Sequence, residues 1–430
     1  MVSAQDHELL TRVGPGTPMG RLMREYWLPA CMSSELAADG APLRLMLLGE
    51  KLIAFRDSSG RVGIMDHRCP HRCASLFFGR NEEDGIRCIY HGWKFDVDGN
   101  CLDQPNVPPH QQFKDKVHAK AYRAAERNGL VWVFMGERDR APPLPPLEAC
   151  LLPEAETEYR FVQRKCNWLQ ALDGDLDTSH LGFLHFGSAR PSKDLDTSRR
   201  DLVQNRAPEY KVAETEFGLT YAAHRPADDG TYWRLAHFLF PFWVMPPIGR
   251  IEANVMVRAW VPLDDHTCMF VGIAHKNYMS GHGRQPLPGA SLIDQLHPNT
   301  TDWLGRYRMV EAEENDYFVD RDVQSRLSFT GIEGIHVQDQ AVTESMGPIV
   351  DRSLENLAPS DIAVVRGRRV LQHAVEAMAK GTRPPGADDA AVYAGVRGGY
   401  FTTAETGEWL ALSKRRVAAS PAPIPEAATA

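Results

Sequence analysis

Two cysteines and two histidines near the start of the chain restrict its fold more than any other feature: Cys69-Pro70-His71, sixteen residues, then Cys88-Ile89-Tyr90-His91. In this C-x-H-x16-C-x2-H array Cys and His alternate, so two separate loops must converge, each bringing one thiolate and one imidazole. The surroundings suit that demand. From Leu43 to Met65 short runs of Leu, Ile, Val and Phe are punctuated by Gly49-Glu50 and Ser58-Ser59-Gly60, the pattern of antiparallel strands joined by tight turns. Eight cysteines in 430 residues are too few for a disulfide scaffold, so a clustered pair is read as metal-binding or redox before structural.

A zinc finger places its Cys pair ahead of its His pair. Alternation is what a two-iron cluster expects, with two thiolates on one iron and two imidazoles on the other. The order therefore favours a Rieske [2Fe-2S] centre held by Cys69, His71, Cys88 and His91, with an atypical structural zinc site as the alternative. Such a centre is a one-electron device, and 430 residues leave room for a second domain that uses the electron.

The chain reads as a helical lead-in over 1–40, a mainly β cluster domain over 41–145, a second domain over 146–416 and a disordered Ala/Pro tail over 417–430. Four prolines within 142–146 mark the boundary. Alternating strands from Tyr159 to His275, then helical spacing at Val337–Met346 and Ile362–Met378, make the second domain an antiparallel sheet covered by helices; the fold class is α+β. A net charge of −8 disfavours nucleic acid and anionic membranes. The polar N-terminus lacks the pattern of a secretory signal and no apolar run reaches membrane-spanning length, so a cytoplasmic location is expected.

The second domain carries Asp177, His180 and His185 in a D-x2-H-x4-H pattern. Residues five apart lie about 140° out of phase on a helix, so both imidazoles reach one metal only if the helix ends or bends, which Gly182 permits. Two His plus one carboxylate with open positions is the facial triad of non-haem Fe(II) oxygenases, an acceptor suited to a one-electron donor. Asp173 and Asp175 read as solvated loop acids, and the run Phe238–Trp243 as sheet core.

Cys-Pro-His-Arg at 69–72 and Cys-Ile-Tyr-His-Gly-Trp-Lys-Phe at 88–95 resemble the Rieske domains of aromatic-ring-hydroxylating oxygenases. The segment from Asn167 to His185 is similar to the iron helix of that family, and Gly334 to Val342 to the helix supplying the last ligand. The resemblance runs along the whole chain and is strongest to the phthalate dioxygenase group. It implies a mononuclear iron held by His180, His185 and Asp339, with Glu333, Glu344 and Asp351 as competing carboxylates and His336 not a ligand. It also implies that Asp177 bridges His180 to His71 or His91 of a neighbouring subunit, in a homotrimer or a pair of trimers.

The family implies a terminal oxygenase that hydroxylates an aromatic carboxylate of the phthalate, benzoate, chlorobenzoate or phenoxybenzoate type with O2. Its electrons come from NAD(P)H through a separate FMN and ferredoxin-type reductase. The alternatives are a monooxygenase or O-demethylase on a related acid, or a pure Rieske electron carrier. An anionic substrate needs a fixed cation, and Arg206, following the iron segment, is the candidate.

Overall fold

The computed structural model describes residues 3–186, 205–276 and 295–419. Helices α1 (Ala4–Thr11) and α2 (Pro18–Met23) open the chain. The strands that follow are β1 (Trp27–Met32), β2 (Leu43–Leu47), β3 (Glu50–Arg56), β4 (Val62–Asp66), β5 (Arg80–Glu82), β6 (Gly85–Arg87), β7 (Lys94–Phe95), β8 (Cys101–Asp103), β9 (Ala121–Arg127) and β10 (Leu130–Phe134). They make a six-stranded sheet in the order β1-β10-β9-β4-β3-β2 and a four-stranded sheet β5-β6-β7-β8. β1 lies inside the stretch read as a helical lead-in; its residues are almost all buried because it forms the edge against β10.

Local chemistry explains the hairpins. β2–β3, β5–β6 and β9–β10 are each joined by two residues at positive φ, Leu48-Gly49, Glu83-Asp84 and Asn128-Gly129. That turn matches the right-handed twist of paired strands, and Asn-Gly is its strongest sequence signal.

The second sheet contains β11 (Thr157–Arg164), β12 (Glu209–Thr215), β13 (Gly218–Ala227), β14 (Gly230–Leu239), β15 (Trp243–Met245), β16 (Met256–Pro262), β17 (Cys268–His275) and β18 (Gly399–Thr403). Its order is β11-β17-β16-β15-β14-β13-β12, with β18 paired to β14, and every pairing is antiparallel. Within the run expected as alternating strands, β14 and β15 are divided at Phe240-Pro241, where proline has no N–H to give the ladder.

Helices α3 (Trp168–Leu176), α4 (Arg321–Arg326), α5 (Ile335–Glu344), α6 (Ile362–Ala379) and α7 (Trp409–Ala418) complete the described chain. Cross-strand register puts Tyr221, Ala236, Val244 and Arg258 on one face of this sheet, the face that meets α3 through Tyr221 and Arg258. The opposite face carries Trp233, stacked on Trp409 of α7. One continuous apolar core runs from Leu10 and Leu22 through Trp132 and Trp168 to Phe238 and Leu371, joining the lead-in and both large sheets. Phe238, Phe240 and Phe242 are fully buried in it. A smaller core of Phe55, Ile86, Trp93 and Phe95 surrounds Cys69 and Cys88. Val417 and Ala418 belong to α7, and residues 420–430 of the expected tail lie outside the described residues. No helix among the described residues is long and apolar enough to cross a membrane.

Candidate metal centres

The Cys/His loops are two copies of one turn. Cys73 N–H donates to Cys69 O and Gly92 N–H to Cys88 O, both at 2.9 Å, and the closing residues are left-handed, with φ +59° and +77°. At Gly92 a Cβ would stand 2.6 Å from Pro105 Cγ, so no other residue fits. The turns bury both thiols and hold the imidazoles toward the rim, with ring centroids 4.5 Å apart. His71 lies flat on Trp93 at 4.4 Å, and Trp93 is anchored through Nε1 to Asn106 Oδ1 at 2.7 Å. Burial, reinforced by the neighbouring Cys88, pushes the Cys69 thiol up.

Two observations test the fit of a cluster. His91 Nδ1 is buried with no hydrogen-bond partner, which is costly for a polar atom unless something outside the chain ligates it. In addition, a single tetrahedral zinc requires its ligand atoms to converge. Among the described residues, only His180, His185 and Asp339 bring three such atoms within 4.8 Å of one another. Thiolates inside and imidazoles outside, without a common focus, suit two irons better than one ion.

The second centre is built where α3 stops. Asn167 caps its N-terminus through Leu169 N–H, but Asp177 is already extended, with φ −73° and ψ 124°. The break therefore precedes both histidines rather than falling at Gly182. His180–Gly182 form one 3-10 turn, and Gly182 lies against the Arg206 side chain. This irregular path turns both rings toward α5, whose first residues follow Gly334 at φ +82°. His185 Nε2 stands 3.2 Å and His180 Nε2 3.8 Å from Asp339 Oδ1.

Each imidazole is held from behind. His180 Nδ1 faces Asp177 Oδ2 at 3.3 Å, and His185 Nδ1 faces Gln338 Oε1 at 2.8 Å. Burial opposes charge on His180, but the Asp177 hydrogen bond and the Asp339 charge outweigh it and raise its pKa. Burial likewise opposes ionisation of Asp339, yet the hydrogen bond and charge of His185, with that of His180, hold the carboxyl down at about 2. With both Nδ1 atoms donating backward, two Nε2 lone pairs and a carboxylate face one another, an arrangement that a cation stabilises.

The other acids have different work. Asp173 and Asp175 are not solvated: Asp173 accepts from Arg368 at 2.7 Å and Arg352 at 3.2 Å, and Asp175 accepts from Arg258 and Trp260 Nε1, both at 2.8 Å. The reason is position, since both sit on α3 where it meets Arg258 of the sheet and the buried Arg352 and Arg368 of the C-terminal segments. Glu344 is bonded to Lys165 N–H, Tyr317 OH and Gln340, and Asp351 caps a turn at Ser353, so neither joins the triad. His336 is buried against Phe270, with Arg164 Nη2 3.4 Å from its Nε2; burial and the charges of Arg160, Arg164 and Arg258 lower its pKa well below normal. Arg206 is exposed, its guanidinium 4.8 Å and 5.1 Å from the rings of Phe183 and Phe186.

Sequence reasoning missed two residues. Gln338 had no signal beyond adjacency to Asp339. Arg234 had one: alternation along β14 puts it on the same sheet face as Ala236. It is buried, its Nε has no acceptor, and among the described residues no carboxylate pairs with it.

Comparison with known proteins gives the family. Residues 26–114 match the family model described as Rieske [2Fe-2S] domain, and residues 133–422 match the one described as LigXa C-terminal domain like. The chain is 50% identical to the 3-chlorobenzoate-3,4-dioxygenase oxygenase subunit of Comamonas testosteroni, over 97% of this chain and 99% of that one. It belongs to the Rieske oxygenases, as an alpha subunit. This Rieske oxygenase is also 36% identical to the phthalate 4,5-dioxygenase oxygenase subunit of Pseudomonas putida, over 91% of this chain and 90% of that one. Its fold matches dicamba monooxygenase bound to dicamba with a TM-score of 0.58, at 18% identity over 84% of this chain and 99% of that one. The enzyme carries a Rieske [2Fe-2S] cluster and, as an oxygenase subunit, requires a separate electron donor.

Proposed function

We propose that this Rieske oxygenase hydroxylates an aromatic carboxylate of the benzoate or phthalate type, as the oxygenase component of a system fed by an FMN and ferredoxin-type reductase drawing on NAD(P)H. The observation that carries the reading is the convergence of His180, His185 and Asp339 within 4.8 Å in the same chain as the Cys/His loops. We assign those three residues to a mononuclear iron, and Cys69, His71, Cys88 and His91 to the cluster. Bound there, the two groups supply one-electron storage and oxygen activation.

The chain's own residues do the rest. Asp177 and Gln338 orient the two imidazoles from behind, and Asp339 supplies the negative charge of the triad. Arg234, a buried guanidinium without a carboxylate partner among the described residues, holds the substrate carboxylate from the sheet face. Arg206, above Phe183 and Phe186, is a second cation beside the iron segment.

The working assembly in this reading is a ring of three subunits, or two such rings, with Asp177 of one subunit facing His71 or His91 of the next. Exposed apolar side chains support it: Ile89 and Tyr90 beside the cluster ligands, and Phe318, Leu327, Phe329 and Leu354 on the catalytic domain. A test is iron and acid-labile sulfide per chain on anaerobically purified enzyme, followed by O2 uptake with benzoates and phthalates. The reading expects about three irons and two sulfides, with substrate-dependent uptake; about two irons, unchanged by His180→Ala, reduces it to an electron carrier.

A further inference from the structure

We infer that Gln338 is the positioning residue that fixes His185 as an Nε2 ligand, by relaying the one-way hydrogen bonding of a backbone carbonyl. The inference rests on the assignment of His185 to the mononuclear metal.

A carboxamide has a donor end and an acceptor end, and only its surroundings say which way it points. At Gln338 they do. Its Nε2 lies 2.7 Å from Ile332 O, a carbonyl that can only accept, so the NH2 group must point there. The same NH2 donates to Thr330 Oγ1 at 3.1 Å. Oε1 is thereby turned toward His185 Nδ1 at 2.8 Å and can only accept, so the ring proton sits on Nδ1. His185 Nε2 is left with its lone pair directed at Asp339. The tautomer is set by a chain of three groups that begins at a main-chain oxygen.

Gln338 is fully buried, so no water competes for Oε1. The relay also ties together the two segments that carry the ligands. Thr330 and Ile332 belong to the segment leading into α5, and in that segment Phe329 N–H donates to Phe186 O at 3.0 Å, one residue after His185. The two imidazoles are supported unequally: His180 by the carboxylate of Asp177, His185 by a neutral amide. Gln338 thus gives orientation without adding a second negative charge behind the triad.

The test uses the full-length enzyme with its cluster intact and its mononuclear iron removed by chelation. Co(II) is titrated into wild type, Gln338→Leu, Gln338→Glu and His185→Ala, reading affinity and ligand-field bands. Loss of an outer-shell partner of a metal-bound imidazole costs about 10- to 100-fold in metal affinity, which is expected for Gln338→Leu together with shifted bands and an unchanged cluster EPR signal. Gln338→Glu, protonated in this buried site, donates its O–H to Ile332 O and still accepts Nδ1–H, and should hold Co(II) within about threefold of wild type. Gln338→Leu binding as tightly as wild type overturns the inference, as does Gln338→Glu binding as weakly as Gln338→Leu. If Gln338→Leu does not fold, Gln338→Glu decides alone, and a loss of tenfold or more, at about 1.4 kcal/mol per decade, counts against it. A wild type that takes up no Co(II), or His185→Ala that binds it normally, instead refutes the metal site itself.

Discussion

Replacing Arg234 by Met should separate substrate recognition from stability. Most buried arginines among the described residues are paired with carboxylates: Arg352 and Arg368 share Asp173, Arg306 is paired to Glu35 and Arg397 to Glu148. Arg234 is equally buried, yet no carboxylate among the described residues answers it. Breaking a buried ion pair costs about 3–5 kcal/mol because the surviving charge is stranded, whereas removing an unpartnered charge strands nothing. Arg234→Met should therefore leave the urea midpoint unchanged or raised. Recognition should move the other way. A hydrogen bond to a charged group contributes about 1.5–3 kcal/mol, so KM for an aromatic acid should rise by roughly 10- to 150-fold. The uncharged amide of the same acid should be little affected. The assay is O2 uptake against substrate concentration for both compounds, alongside urea unfolding. An unchanged KM for the acid, or a fall in stability of ion-pair size, refutes the reasoning.

Three further outcomes follow from the same contacts. Asp339→Asn should leave about two irons per chain in place of three, with the cluster's visible spectrum intact, measured by iron analysis. Asp173→Ala leaves Arg352 and Arg368 with Glu355 alone, 4.0 Å from Arg352 Nε, and should destabilise the chain by up to about 3–5 kcal/mol in urea unfolding. His237 is buried between Thr220 Oγ1 and Arg397 O, and burial lowers its pKa from 6.5 to about 4. Its contribution is therefore complete above pH 6.5 and is lost as pH falls toward 4, at most about 3 kcal/mol; His237→Gln should flatten the acid limb of a stability–pH curve.

The cluster loops were legible because their chemistry is local. Four ligands, two tight turns and a left-handed closing residue all lie within Cys69–Gly92, and the spacing alone excludes a zinc finger order. The strand pattern was legible for a similar reason: alternation and turn residues act over a few positions, so the expected run of strands ends at His275, where β17 ends. Errors came where a long-range partner intervenes. β1 was hidden in the lead-in because its pairing residues lie a hundred positions away. Asp173 and Asp175 read as solvated because the arginines that bury them arrive from β16 and the C-terminal third.

The amino-acid sequence by itself determined which groups are available: two thiolates and two imidazoles in paired loops, a D-x2-H-x4-H segment, and an acid far along the chain. Only the tertiary structure decided how they meet. It ends α3 before His180, brings α5 across to set Asp339 beside His185, and turns Gln338 so that a backbone carbonyl dictates a histidine tautomer. It also leaves the buried Arg234 without a carboxylate partner among the described residues. The physical reason is that ligand type is a property of single residues, while the direction of a lone pair and the absence of a counter-ion are properties of everything packed around them.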